Sequence, residues 1–383
     1  MLQKIIIPSP VWDSNLHEII LDLEKLRTKR LFGDIPTHIF FQLKDIFHLL
    51  ETLGSARIEG NNTTLSEHIE KKINKTNNET KNESDKEIEN LENAIKFIEE
   101  NTDEKTIFNR AYISQIHKIT TDGLILEGSQ YSGELRKHNV AIKKSQHIPP
   151  NYMQLNDYFN GFLDFINGDH RSVNQLLMIA IAHHRFEYIH PFDNGNGRMG
   201  RLLNYSFLIK FGFKVKEGRI INSSSIFFSD RDKYYDMLMM ADSLKDEDLL
   251  AWCEYFLGGL KNEIEKVDSI LSKDYVVKNI MLPVIESAEK DKLLTTQEFK
   301  ILKCLIEKDD MQVKSGDLGF LDNLNPTEKS RIINKLKNKE MIIPLKENGR
   351  VYTINFINSY LLRGIVKILK DKGFIADFLN SNN

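Results

Sequence analysis

The sequence predicts a mainly α-helical protein with one small β-hairpin flap and a C-terminal winged helix-turn-helix domain. Apolar residues recur at intervals of three and four in most segments between residues 37 and 270, as amphipathic helices require. The sequence lacks the alternating strand and helix patterns that a parallel α/β sheet would produce. Asn348-Gly349, between two short β-type runs, is the strongest hairpin-turn signal in the chain.

The composition indicates a globular protein of two or three domains. Of 383 residues, 41% are hydrophobic and 28% are charged, so the chain can bury a substantial core. A net charge of −3 excludes an overall electrostatic bias towards nucleic acid or anionic membranes. The first residues contain no apolar run long enough for a signal peptide or a membrane span, so we expect a cytoplasmic protein without a membrane partner. Cys253 and Cys304 lie far apart in apolar helical segments, and we expect both to be reduced core residues.

The elements before residue 270 follow from apolar spacing and from the breaks in it. A helix is predicted over 37–59, and Gly60 can end it. The polar stretch 71–90 is predicted to be a solvated loop. Glycines, two prolines and short β-type runs over 128–150 predict a small hairpin or flap. Further helices are predicted over 91–98, 108–119, 151–167, 173–189, 198–211, 230–241 and 246–270.

The last third has the element order of a winged helix. A helix is predicted over 294–307. A second helix starts at Asn325-Pro326, with a capping side chain, a proline at the first helical position and a glutamate at the third. Residues 341–356 alternate around Asn348-Gly349 as two paired strands would. Two helices followed by a two-stranded wing therefore predict a winged-helix domain.

Residues 190–201, HPFDNGNGRMGR, predict a loop that binds a polyphosphate. The segment Gly195–Gly197 allows successive backbone N–H groups to turn inward at a helix start, where the helix dipole favours an anion. Arg198 and Arg201 lie three residues apart on one helix face, and two guanidinium groups suit a polyphosphate. His190 precedes the loop, where it could take a proton from a group that attacks the phosphate. The alternative is a glycine turn with two solvated arginines.

Two other interpretations of this region fit the residues less well. The pattern G-x-G-x-x-G over 195–200 is that of a dinucleotide-binding fingerprint, but that fingerprint follows a strand, and the residues before it have helical spacing. A metal site could use His183, His184, Glu187 and His190. Zincins place two histidines four residues apart with a glutamate directly after the first, and that spacing is absent here. We therefore expect His183 and His184 to pack on a helix.

The same twelve residues resemble the signature of the Fic family, H-x-F-x-[DE]-G-N-G-R-x-x-R. They depart from it at one position, where Asn194 replaces the acidic residue. The resemblance extends over most of residues 30–270. Gly133–Arg136, followed by Asn139–Ile142 and Pro149-Pro150, is similar to the family's flap, which holds the target segment beside the active site.

The resemblance implies a Fic helical core and a protein adenylyltransferase. In such an enzyme ATP binds, a Ser, Thr or Tyr hydroxyl of a target protein attacks the α-phosphate, AMP is transferred and pyrophosphate leaves. By this resemblance His190 is the general base and Arg201 holds the γ-phosphate. The α- and β-phosphates are held by Gly195, Asn196, Gly197 and Arg198. The acidic residue of the signature is a ligand for Mg²⁺, so Asn194 would supply only a neutral carboxamide oxygen at the metal position.

The segment Ser55–Gly60 is similar to the family's inhibitory motif, [ST]-x-x-x-E-[GN]. Ser55 and Glu59 are four residues apart and share one helix face. By resemblance, Glu59 pairs with Arg201 and steers the γ-phosphate away from its productive place, so autoinhibition in cis is expected. In some family members this glutamate instead supports the removal of AMP, which leaves both directions of the reaction open. The alternative for Glu59 is an exposed helix residue without a regulatory role.

The resemblance also sets the predicted domain boundaries. Residues 1–105 form an N-terminal helical region with the inhibitory helix, residues 106–272 the Fic catalytic core, and residues 273–383 the winged-helix domain. Tyr234 and Tyr235 lie on a helix after the motif, where one could stack on adenine or both could be ordinary core aromatics. Family members commonly form dimers, so a homodimer is a further expectation.

The predicted helix 326–340 carries many basic residues. Both a recognition helix in the DNA major groove and a solvated or protein-binding face fit this pattern. The basic residues are Lys329, Arg331, Lys335, Lys337 and Lys339. The main functional prediction is an enzyme that transfers AMP from ATP to a protein hydroxyl. The alternative is a DNA-binding regulator whose Fic core senses nucleotide or modifies only itself.

Overall fold

The protein is mainly helical in the part of the chain that the structure describes. The computed structural model describes residues 4–29, 33–65, 67–68, 82–142, 145–215, 221, 224–228, 230–321, 324–357 and 359–374. The helices up to residue 268 are α1 (Asn15–Thr28), α2 (Thr37–Glu59), α3 (Glu83–Asn101), α4 (Arg110–Thr121), α5 (Leu155–Ile166), α6 (Ser172–Ile189), α7 (Asn196–Lys210), α8 (Ser225–Phe228), α9 (Arg231–Ala241) and α10 (Asp246–Asp268). The later elements are α11 (Lys273–Val276), α12 (Leu282–Lys290), α13 (Thr296–Glu307), α14 (Pro326–Asn338), β1 (Ile342–Pro344), β2 (Tyr352–Ile354) and α15 (Ser359–Asp371).

The chain consists of two compact units. The first comprises Met1–Arg30, His48–Thr63 and Glu79–Glu265, and the second comprises Leu31–Phe47, Thr64–Asn78 and Lys266–Asn383. The predicted boundaries at residues 105 and 272 stay a prediction, because this division follows contacts and not function.

The core of the first unit is built around α6 and α7, which pack against each other. Every residue of α6 from Leu176 to Phe186 is buried, and so is every residue of α7 from Arg198 to Ile209. A helix that is buried on all sides must be covered by other helices. One of them is α10, whose Trp252 donates from Nε1 to the carbonyl of Ala180 at 2.7 Å. The segment between α6 and α7 is therefore held at both ends by buried helices.

The second unit contains the β-hairpin. β1 and β2 pair antiparallel with Ile342 opposite Ile354, and Asn348 in the turn has a φ of 59°. This left-handed conformation is one that asparagine adopts more readily than most residues. Helices α13 and α14 precede the hairpin in the predicted order, and Asn325 and Glu328 form the predicted capping box. The order of elements is confirmed, while the winged-helix assignment stays a prediction.

The predicted flap has no strands in its described residues, 128–142 and 145–150, so the hairpin prediction there is wrong. The reason is that side chains take the hydrogen bonds that a strand ladder would need. Arg136 donates to the carbonyls of His138, Pro150 and His190. Asn139 accepts from the Tyr152 amide at 3.0 Å through its side chain. The segment is an irregular loop held by polar side chains.

The solvated loop predicted over 71–90 is wrong from Glu83 onwards, where α3 begins, and residues 71–81 lie outside the described residues. The Asn82 side chain accepts from the Asp85 amide and caps the helix. Glu83 and Asp85 lie in the first turn, where the helix dipole stabilises negative charge. The polar residues from Asn82 to Asp85 therefore belong to the start of a helix and not to a loop. Sequence reasoning also missed α1, although Ser14 caps it through its side chain.

Two smaller expectations concern the cysteines and membranes. Cys253 is buried, Cys304 is partly buried, and neither forms a disulfide with the other. Among the described residues, no helix has both the length and the apolar character that crossing a membrane requires.

Candidate active site

The motif 190–201 forms a tight turn from the end of α6 into the start of α7. His190 caps the end of α6 in the left-handed conformation with a φ of 49°. Gly195 has a φ of 78° at the start of α7, a conformation that glycine adopts without steric cost. Among the described residues no side chain caps α7, so its first backbone N–H groups are available to an anion.

The turn is fixed from inside by Phe192 and Asn196. The Asn196 side chain accepts from the Phe192 amide at 2.9 Å and donates to the Phe192 carbonyl at 2.9 Å. The Phe192 ring is buried and stacks on His117 at a centroid distance of 3.8 Å. Phe192 therefore anchors the loop in the core. Asn196 contributes its side chain to the turn, which leaves its backbone amide for a ligand.

His117, which sequence reasoning missed, joins the flap to this turn. Its Nδ1 accepts from the Gly133 amide at 2.8 Å, and its Nε2 donates to the Asn194 carbonyl at 3.0 Å. Burial lowers the pKa of His117 to about 4, so the ring is neutral at pH 7 and can accept and donate at once. No local sequence pattern identifies such a bridge, since its partners are 16 and 77 residues away.

His190 is held as a neutral imidazole. Burial lowers its pKa to about 4, and the nearby charge of Arg136 acts in the same direction. Its Nδ1 lies 3.3 Å from the Glu187 carbonyl, which can only accept, so Nδ1 carries the proton and Nε2 keeps a lone pair. Arg136 also fixes the backbone at this point, because its Nε donates to the His190 carbonyl at 2.9 Å. A neutral imidazole with a free lone pair is the form that a general base requires.

Arg201 is buried and is bound by the end of α2. Its Nε donates to Ser55 Oγ at 2.9 Å, and its Nη2 donates to the Ser55 carbonyl at 3.0 Å and to Glu59 Oε1 at 2.7 Å. Burial raises the pKa of Glu59, but the charges of Arg201 and Arg198 outweigh it, and the net shift is downward. Glu59 is therefore ionised at neutral pH. Ser55, Glu59 and Arg201 come together as the sequence predicted.

Glu59 also lies against the first turn of α7. A Cβ placed on Gly197 would be 2.3 Å from Glu59 Oε1 and 3.1 Å from Arg201 Nη1. A larger residue at this position would displace the Glu59 carboxylate from the helix start. The Glu59 carboxylate therefore occupies the place beside the α7 amides where an anion would be favoured.

Arg198 faces a different partner. Its Nη1 donates to Glu87 Oε1 at 2.9 Å, and its Nη2 donates to the Glu127 carbonyl at 2.7 Å. The side chain is fully buried, so both ends of this guanidinium are committed to the protein in this conformation. Sequence reasoning placed Arg198 beside the phosphates and missed Glu87, which is 111 residues away in the chain. The backbone amide of Arg198 stays at the helix start.

Asn194 and Asp193 turn their side chains towards the loop. Asn194 Oδ1 accepts from the Gly195 amide at 2.7 Å, and the two Asp193 oxygens accept from Ser129 Oγ at 2.5 Å and the Gln130 amide at 2.8 Å. The described residues contain no group of three or more His, Cys, Asp or Glu that could hold a metal ion. These side chains alone do not fit a Mg²⁺ site, because a hard cation prefers several oxygen ligands with negative charge. Metal binding by Asn194 stays a prediction.

His183 and His184 are packed on α6, as expected. His183 Nε2 lies 2.9 Å from the Tyr234 hydroxyl, and His184 Nε2 lies 3.0 Å from Asp242 Oδ1. Tyr234 is thus a core residue. Tyr235 is 41% exposed, and burial, followed by the charge of Glu59, raises its pKa. Of the two tyrosines, Tyr235 is the one with an accessible ring.

Comparison with known proteins is consistent with this geometry. The sequence model of the Fic/DOC family matches residues 107–208. A protein adenylyltransferase Fic of Nematostella vectensis is 29% identical over 198 residues, which cover 49% of this chain and 42% of the relative. Its counterpart in Drosophila ananassae is 29% identical over 200 residues, 51% of this chain and 36% of the relative. The matching part is therefore less than half of the length of these relatives.

Solved structures share the fold. The crystal structure of a Fic family protein from Desulfovibrio desulfuricans aligns with 91% of this chain and 98% of its own, with a TM-score of 0.57 and 20% identity. A Fic domain containing signaling protein from Bacteroides thetaiotaomicron aligns with 67% of this chain and 95% of its own, with a TM-score of 0.51 and 18% identity. The predicted Fic helical core is confirmed. Residues 107–208 therefore match the Fic/DOC family by sequence, and the fold of the chain is that of solved Fic proteins.

Proposed function

We propose that the protein is a protein adenylyltransferase that transfers AMP from ATP to a Ser, Thr or Tyr hydroxyl of a target protein. The hydroxyl oxygen forms a bond to the α-phosphorus of ATP, and the bond between that phosphorus and the bridging oxygen to the β-phosphate breaks. Pyrophosphate leaves with the bridging oxygen. The hydroxyl proton passes to Nε2 of His190.

The observation that carries this proposal is the neutral imidazole of His190 beside an uncapped helix start. The lone pair on Nε2 follows from the contact of Nδ1 with the Glu187 carbonyl at 3.3 Å, and burial keeps the pKa at about 4. A base with this pKa is fully unprotonated at pH 7, although its basicity is modest. The names of the relatives, protein adenylyltransferase Fic, support the same reaction.

The triphosphate would lie across the start of α7. The amides of Asn196, Gly197 and Arg198 would hold the α- and β-phosphates at this uncapped helix start, and the Gly195 amide would join them once Asn194 Oδ1 releases it. Arg201 would hold the γ-phosphate once Glu59 has moved. Tyr235, whose ring is exposed and whose pKa the charge of Glu59 raises, would be the stacking partner for adenine.

Glu59 would inhibit the enzyme in cis. Its carboxylate binds Arg201 at 2.7 Å and lies beside Gly197, so it competes with the nucleotide for the same guanidinium and the same helix start. Ser55 holds the other side of Arg201 through its hydroxyl and its carbonyl. A nucleotide that reached the loop would meet the Glu59 charge where its γ-phosphate should lie.

Labelled ATP tests the reaction directly. We expect the full chain with Glu59→Gly to transfer label from α-³²P-ATP to itself or to a protein in a cell lysate. Adding His190→Ala should lower the rate by about 10²-fold or more, the usual contribution of a general base. The matched control is His17→Ala, which removes a histidine of α1 and should leave labelling unchanged. Equal labelling with and without His190 contradicts the proposal.

A second candidate function, DNA binding, is favoured by one surface of α14. Arg331, Lys335 and Lys337 are exposed on this helix, while Ile332, Ile333 and Leu336 are buried. Lys339 is bound to Glu298 at 2.8 Å, which removes it from the basic face. A salt-sensitive shift of duplex DNA by the full chain, lost in Lys335→Glu/Lys337→Glu, would support this function. No shift at low salt would reject it.

A further inference from the structure

A cavity of about 890 Å³ lies within the first unit, and none of the motif residues 190–201 lines it. The N-terminal segment 4–7 and helices α5 and α6 supply most of its wall. Apolar side chains line part of it, among them Ile5, Ile7 and Ile189. Its volume lies within the range of small-molecule binding sites in proteins.

Arg185 lines this cavity, and its buried Nε has no acceptor among the residues that the structure describes. The residue is 7% exposed. Its only ring contact in the described part of the chain is with Tyr188, whose ring centre lies 5.6 Å from the guanidinium carbon. Asp242, a carboxylate whose charge acts on the pKa of Arg185, is bound by His184 at 3.0 Å. Burial lowers the pKa of Arg185, but an arginine stays protonated at neutral pH.

A buried guanidinium without an acceptor is unfavourable, because it has lost its hydration and gained no charged partner. A bound carboxylate would supply two acceptor oxygens in the planar geometry that a guanidinium prefers. The apolar lining beside Arg185 would then cover a hydrocarbon body. A molecule with one carboxylate and a hydrocarbon body therefore complements both Arg185 and the apolar lining.

The outer lining of the cavity limits the charge of that molecule. Asp157, Asp164 and Asp169 are exposed, and Lys4 is the exposed cation among the lining residues. With Arg185, the lining carries two positive and three negative charges. Repulsion from the three aspartates disfavours nucleotides and other polyanions, so a ligand with a single negative charge fits best.

We propose that this cavity is a binding site for a small monocarboxylate with an apolar body, whose carboxylate pairs with Arg185. The site is separate from the proposed nucleotide site, and it does not depend on the proposed reaction. Tyr188 and Ile189 line the cavity and directly precede His190 in the chain, so α6 contributes to both places.

Octanoate is a suitable probe, because it combines one carboxylate with a short hydrocarbon chain. Isothermal titration of the full chain should show saturable binding with a dissociation constant below about 1 mM, a value in reach of a small ligand. Methyl octanoate, which keeps the shape and loses the charge, should bind the unaltered protein at least tenfold more weakly. No saturable binding of octanoate, or equal binding of the ester, overturns the proposal.

Arg185→Met tests the partner of the carboxylate, since methionine is a flexible apolar replacement of comparable length. We expect it to weaken octanoate at least tenfold. The matched control is Lys4→Met, the same change at the exposed cation of the same cavity, and it should alter the affinity less than twofold. Equal losses in both variants would show only general electrostatic attraction and would overturn the assignment of Arg185. If Arg185→Met does not fold, the ester comparison decides the question without it.

Octanoate binding should be unaltered by His190→Ala. This variant removes the proposed base and leaves the cavity intact, so unchanged affinity separates the two sites. If the AMP transfer fails but octanoate binds with the expected preferences, the cavity assignment still holds. Loss of octanoate binding in His190→Ala would place the ligand in the motif and overturn the proposal.

Discussion

The two glutamates that meet the motif arginines are held in different ways. Glu87 lies in the second turn of α3, its side chain is 3% exposed, and it accepts from Arg198 at 2.9 Å and from Asn61 at 2.8 Å. Glu59 is the last residue of α2, its side chain is 27% exposed, and it accepts from Arg201 at 2.7 Å. Both pairs belong to the same unit of the protein.

The difference fits the proposal that the Glu87 pair supports the scaffold and the Glu59 pair inhibits the enzyme. Burial raises the pKa of Glu87 in spite of Arg198, whereas the net shift at Glu59 is downward. Glu87 thus lies in the drier place, where a charge needs its partner most. Glu59 precedes Gly60, which has a φ of 105° and ends the helix, so its carboxylate can leave Arg201 by movement of a helix end.

The largest expected effect is on stability, and it separates the two pairs. Glu87→Gln keeps the shape and leaves the buried charge of Arg198 without its main counterion. We expect the free energy of unfolding to fall by about 3 kcal/mol, more than a hundredfold in the folding equilibrium. Glu59→Gln also removes a charged partner from a buried arginine, but Glu59 is partly exposed and Ser55 still binds Arg201, so it should cost about 1 kcal/mol. Urea unfolding measures both. Equal losses would mean that the two pairs do not differ in the way their burial indicates.

Removal of the Glu59 side chain should have the next largest effect. Glu59→Gly frees Arg201 and the start of α7, so labelling with α-³²P-ATP should rise at least tenfold. This is roughly the effect on an equilibrium of one charge-assisted hydrogen bond. The control is Glu100→Gly, an exposed glutamate in the last turn of α3. Labelling that is unchanged by Glu59→Gly, or that rises equally in the control, argues against inhibition by this residue.

Asn194→Asp tests whether the loop between His190 and Arg201 contributes a metal ligand. It restores a carboxylate at the position where the family signature has one. In the Glu59→Gly background, the ratio of ATP affinity with Mg²⁺ to that with EDTA should rise roughly fivefold, since a charged ligand binds a hard cation better than an amide. Calorimetric titration gives this ratio. The same ratio in both variants would show that position 194 does not contact the metal.

The smallest expected effect is that of pH on the proposed reaction. A base with the ordinary imidazole pKa of 6.5 would lose about tenfold in neutral fraction between pH 7.5 and 5.5. Burial lowers the pKa of His190 to about 4, so protonation begins only near that pH, and the rate of Glu59→Gly should change less than twofold. Glu59 has a lowered pKa, so the wild type should stay inhibited over the same interval. A tenfold fall in the rate of Glu59→Gly would contradict the assigned state of His190.

Local patterns in the sequence predicted much of the fold and part of the site. The helix over 37–59 has the predicted bounds, and the capping box at Asn325 and the turn at Asn348 are present. These features depend on residues within a few positions of one another. The flap was predicted wrongly, because the Arg136 side chain replaces a strand ladder with contacts to distant carbonyls. Such replacement has no local signature.

By itself, the sequence determined most of the helices and the glycine turn between His190 and Arg201, and resemblance to a known motif gave the pairing of Arg201 with the end of α2. Only the tertiary structure decided which charged side chains are buried and which residues they bind. Arg198 binds Glu87, and His117 joins the Gly133 amide to the Asn194 carbonyl. Arg185 lines a cavity, and its Nε has no hydrogen-bond acceptor among the described residues. The physical reason is that desolvation and charge pairing depend on atoms brought together from distant parts of the chain, whereas helix periodicity and capping depend on neighbours.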